Sequence, residues 1–138
     1  MKRFELLDHT ADIGIIVHAD SLELLFETAA EALFHIITDL RKVRPRIGRT
    51  IEGKAKPLER LMVDWLGNLL YLYDVENLLF KKFKVEFLGE DKLRAKVKGE
   101  VYQEGVHIIK TGVKAVTYHG IEVRKENGGW MARIIFDL

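Results

Sequence analysis

Two short apolar runs open the chain, over residues 4–7 and 13–19, and the second carries the β-branched content of a buried strand. From Leu22 the spacing changes. Leu22, Leu25, Phe26, Ala29, Leu33, Ile36 and Ile37 recur at three- and four-residue intervals, which places them on one face of a helix ending near Asp39. Asp20 or Ser21 suits its N-cap, and Glu23 could complete a capping box with Asp20. Residues 43–55 are polar and arginine-rich, with Pro45, Gly48 and Gly53, and read most simply as an irregular hairpin. Pro57 then opens a second helix. Its stripe is Leu58, Leu61, Met62, Trp65, Leu69 and Leu72 or Tyr73, with Glu59, Arg60, Asp64 and Asn68 opposite.

The remainder alternates with period two. Phe83, Val85 and Phe87 share one strand face, with Lys82, Lys84 and Glu86 on the other, and residues 93–98 repeat the pattern after a turn at Gly89-Glu90-Asp91. Short runs over 101–102 and 106–109 flank Gly105, and a further strand covers 113–118. Residues 121–125 then meet 130–136 across Asn127-Gly128-Gly129, a strong hairpin turn. The expected fold is α+β, a largely antiparallel β-sheet system packed with two amphipathic α-helices, in one domain over 1–138.

With 48% hydrophobic and 31% charged residues, 138 residues suffice to bury a core without disulfide or metal staples. Zero cysteines exclude disulfides, thiolate zinc sites, iron–sulfur ligation and a cysteine nucleophile. Ser21 is the only serine, which argues against a serine triad. No long apolar run and no signal-peptide core are present, so the expected location is the cytoplasm. Net charge is only +1, but residues 41–56 hold Arg41, Lys42, Arg44, Arg46, Arg49, Lys54 and Lys56 against Glu52 alone. That segment is either a pair of solvated strands or a surface for RNA or an acidic partner.

Candidate chemistry gathers in three places. Asp8-His9-Thr10-Ala11-Asp12, at the lip of a strand, offers hard ligands to a divalent cation, and equally suits a turn in which Asp bonds its own backbone. At the other end Trp130, Ala132, Ile134 and Phe136 face one way, with Arg133, Ile135 and Asp137 on the other. The Leu138 carboxylate follows Asp137 directly. If the last strand runs beside the first, Asp12, Asp137 and Leu138 can share one cation; the alternative is a solvated tail. Lys114, Val116 and Tyr118 share a strand face, with His119 at its end, an arrangement suited to acid–base work or phosphate binding, or simply a half-exposed surface. Gly48 to Lys54 matches a phosphate-binding loop through its lysine but fails at Ala55, and Lys110-Thr111-Gly112 lacks the nucleophile motif it would need.

Taken together, Asp8-His9-Thr10-Ala11-Asp12-Ile13-Gly14, Val63-Asp64-Trp65-Leu66, Lys114-Ala115-Val116-Thr117-Tyr118-His119 and Arg133-Ile134-Ile135-Phe136-Asp137-Leu138 resemble the archease family, in family order and across the whole chain. Asp8 stands where the family often has Glu. The resemblance implies a non-catalytic activator of the tRNA-splicing RNA ligase, promoting guanylylation of the ligase's active-site histidine and repeated turnover, and widening its nucleotide use. It implies a metal site at Asp12, Asp137 and Leu138, with calcium the cation to name, and a functional Lys114 facing the ligase or its nucleotide site. Transfer RNA is then met through the ligase. His9 is a candidate for orienting the acidic loop, while His18 and His107 have no assigned task. The rival reading is a metal-dependent hydrolase or nuclease using the same acidic site with His9 or His119.

Overall fold

The computed structural model describes residues 3–8 and 11–138, Arg3 and Asp8 by backbone alone. In chain order the elements are β1 (Arg3–Asp8), β2 (Asp12–Ala19), α1 (Leu22–Ile37), β3 (Ile47–Lys54), α2 (Leu58–Glu76), β4 (Leu78–Phe87), β5 (Lys92–Val101), β6 (Ala115–Glu126) and β7 (Gly129–Asp137). Two sheets result, one ordered β1-β2-β7-β6 and the other β3-β5-β4, and every pairing is antiparallel. The α+β expectation is thereby met.

Each helix touches both sheets. α1 packs on β4 of the smaller sheet and on β2 and β7 of the larger, and α2 on β6 of the larger and on β3 and β4 of the smaller. The helices thus form a middle layer, which explains why α1 buries far more than the predicted stripe. Ala30, Ala32 and Phe34 are fully buried beside Leu25, Phe26, Ala29, Leu33 and Ile37. Phe34 meets Phe80 edge-on at 5.7 Å and stacks on Phe83 at 6.1 Å. Trp65 ties the two helices, its indole N–H donating to the Phe26 carbonyl at 2.9 Å. Burying each such side chain contributes about 1.5–3 kcal/mol. The free edge of β4 is capped from α1, where the Glu27 carboxylate accepts the Val85 N–H at 3.0 Å.

Several local expectations are corrected. Residues 43–55 hold a single strand, β3, rather than a hairpin, because its partner β5 comes from much later in the chain. The two strands expected over 113–125 are one, β6, whose register with β7 is interrupted between Thr117 and Glu122, with Gly120 at φ +66 in the interruption. Residues 106–109 make no strand, only an isolated bridge from Ile109 to Thr38. Of the two expected N-caps Ser21 caps α1, accepting the Leu24 N–H at 3.1 Å, and the capping box expected between Asp20 and Glu23 therefore does not form. Finally, β7 lies beside β2, not beside the first strand, which β2 separates from it.

Candidate functional site

That last placement brings the two ends of the sequence together. Asp12, the first residue of β2, is the direct register partner of Asp137, the last residue of β7. Residues directly opposite share one face of a sheet, so two carboxylates meet there. It is the face turned from the helices, because their neighbours Ile13 and Phe136 take the core side, Phe136 fully buried. The chain end is pinned. The Leu138 N–H donates to the Ala11 carbonyl at 3.2 Å, and the Lys114 N–H to the Asp137 carbonyl at 2.8 Å.

Asp137 is exposed and Asp12 half-buried. The Oδ1 atom of Asp12 is shut off from solvent and receives no hydrogen bond among the described residues. A buried carboxylate oxygen without a donor costs free energy, and a second carboxylate opposite adds repulsion. The donor set is all oxygen, which fits a hard divalent cation better than a soft one. Among the described residues no three His, Cys, Asp or Glu side chains gather at metal-ligand spacing.

Lys114 reaches the same end of the sheet, next to Ala115, which pairs with Asp137. It is exposed, and it precedes β6 rather than sharing a regular strand face with Val116 and Tyr118. Tyr118 and His119 lie in the register interruption of β6, both exposed, with the His119 N–H donating to the Thr117 hydroxyl at 3.2 Å. Asp8 ends β1 opposite Ile13; its side chain, and His9 and Thr10 altogether, lie outside the described residues.

The histidines without a task have structural partners. His18 Nδ1 lies 2.9 Å from the Glu126 carboxylate, across the larger sheet. His107 is buried, accepts the Gln103 N–H at Nδ1, and turns Nε2 to the buried Glu100 carboxylate at 3.1 Å. Glu100 also accepts the Arg44 N–H at 2.6 Å. Burial pushes the Glu100 carboxyl up, but these hydrogen bonds outweigh it and hold it below its usual range. Sequence reasoning missed this lock because alternation along β5 gives no sign that Glu100 turns inward. In the basic segment 41–56, Arg41 is paired with Asp39 and Arg49 with Glu76, so it is only partly a free cationic surface.

The family model of the archease protein family matches residues 4–138. Proteins named archease from Sulfolobus acidocaldarius and Methanosarcina mazei are 42% and 40% identical, the first covering 100% of each chain and the second 99% of this chain and 97% of its own. The solution structure of a Methanobacterium thermoautotrophicum protein superposes with a TM-score of 0.84 at 38% identity over 98% of each chain. A Thermotoga maritima crystal structure, described as an archease and possible chaperone, shares the fold at a TM-score of 0.68 and 20% identity, over 96% of this chain and 94% of its own.

Proposed function

The chain belongs to the archease family, and from that premise we propose that it is a non-catalytic activator of the RNA ligase that joins transfer RNA halves. It assists guanylylation of the ligase's active-site histidine, sustains repeated turnover and broadens nucleotide use, working in the cytoplasm. A divalent cation, calcium in this reading, is held by Asp12, Asp137 and the Leu138 carboxylate. When bound, it supplies positive charge that relieves the repulsion between facing carboxylates. Asp12 and Asp137 are set opposite by strand register, the Leu138 amide bonds the Ala11 carbonyl, and the exposed Lys114 joins the same end of the sheet through its own amide, which donates to the Asp137 carbonyl. His9 and Asp8 are further functional residues in this reading. The observation that carries this reading is the buried Oδ1 of Asp12, which receives no hydrogen bond among the described residues, in register with a second aspartate.

The test is multiple-turnover joining of transfer RNA halves by the cognate ligase, with wild type and Asp12→Ala in parallel. Wild type should stimulate and Asp12→Ala should not, although it folds normally. Equal stimulation by both removes the acidic site from the mechanism; no stimulation by either removes the ligase function.

A further inference from the structure

We infer that the outer face of the smaller sheet, centred on Lys82, Lys84, Lys96 and Lys98, is a docking surface for the phosphate backbone of an RNA strand. Strand register sets Lys82 directly opposite Lys98 and Lys84 directly opposite Lys96. Like charges in directly opposed positions destabilise a sheet, so two adjacent lysine pairs are an unfavourable arrangement for folding alone. All four are exposed, and none joins an ion pair among the described residues. One row further on the sheet balances its charge, with Arg94 flanked by Glu52 at 3.1 Å and Glu86 at 3.9 Å. The lysine end is therefore selectively uncompensated.

Lysines on an edge strand commonly guard it against aggregation, which suffices for Lys82 and Lys84 on β4. It does not suffice for Lys96 and Lys98, because β5 is the central strand and has no free edge. Pro45 and Phe83 join the four lysines around an open groove of about 440 Å³, and the exposed Arg44 and Arg46 flank Pro45. Lysine is depleted from protein–protein interfaces but serves well as a point charge for phosphate, which favours a nucleic acid over an acidic protein. No exposed aromatic side chain alternates with these lysines, so contact falls on phosphates and is indifferent to base sequence. The choice of RNA over DNA rests on the proposed function; the phosphate chemistry does not. The helices separate this sheet from the one carrying Asp12 and Asp137, so RNA and ligase can be held at once.

The test uses the full chain without ligase, following the anisotropy of labelled oligouridine as potassium chloride rises from about 50 to about 200 mM. Binding should weaken steeply with salt. The fourfold variant Lys82→Gln, Lys84→Gln, Lys96→Gln, Lys98→Gln should lose tenfold or more in affinity at low salt, with a logarithmic salt slope shallower by about 3, from four contacts at roughly 0.7 each. Its melting temperature should equal or exceed that of wild type, which separates lost binding from lost folding. A charge-matched control, Lys42→Gln, Lys56→Gln, Arg60→Gln, Lys110→Gln, should keep most of the affinity. Three results overturn the inference: wild type that fails to bind oligouridine, a control that loses as much as the test variant, or polyglutamate bound in place of RNA. Ligase stimulation plays no part in the readout, so this face and the Asp12 site stand or fall separately.

Discussion

At the residue scale, two carboxylates with buried oxygens have opposite fortunes. Asp12 has an oxygen without a donor among the described residues, and on the proposed reading calcium should stabilise the protein, by about 2.7 kcal/mol when present at about one hundred times its Kd. Melting temperature should rise by roughly 3–5 °C per kcal/mol, and a chelator or Asp12→Ala should abolish the rise. Glu100 is fully engaged by Arg44 and His107, and Glu100→Ala leaves both donors unpaired, a loss of about 2–3 kcal/mol in denaturant titration. Because its folded pKa lies below the ordinary 4.5, its stabilising contribution is complete above that value and disappears as pH falls through the folded pKa. Glu100→Gln should therefore show a flatter loss of stability on acidification. Asp12 and Asp137 were each legible locally, one in its cluster with Asp8 and His9 and the other in strand alternation, whereas their facing followed only from a pairing that no local pattern specifies. The Glu100–His107 contact was hidden for the same reason, since the loop that brings His107 back carries no periodic signal.

At the scale of elements, legibility depended on whether a segment's partner was close in the sequence. The β6–β7 hairpin was marked by Asn127-Gly128-Gly129, and both helices by their apolar spacing. β3 resembles a hairpin locally because its hydrogen bonds go to β5, beyond α2 and β4, where no neighbouring residue signals them. The apolar spacing of α1 marks only one face, which suffices for one sheet, and this helix meets two. Gly99 shows how tightly the smaller sheet is drawn together. A Cβ there would run into the Leu79 carbonyl, beside the register shift between Phe80 and Lys82. Gly99→Ala should cost about 3 kcal/mol, read as a lower denaturation midpoint. Trp65→Phe removes the bond that joins the helices and should cost about 1–2 kcal/mol by the same measurement.

At the scale of the molecule, the buried side chains of both sheets and both helices belong to one connected core. Unfolding should therefore be a single cooperative transition, with tryptophan fluorescence and far-ultraviolet circular dichroism giving the same midpoint in denaturant. The strand order of the larger sheet has a kinetic corollary. Residues from Leu22 to Val101 form both helices and the whole smaller sheet without a contribution from the rest, so that segment can assemble early. β2 meanwhile waits with one edge open, carrying Ile15 and Val17, until β7 inserts between it and β6. Such distant pairings are slow, and on the ribosome β7 is the last of these strands to emerge. Amides of β2 should accordingly gain protection after those of β4 and β5 when refolding is followed by pulsed hydrogen exchange.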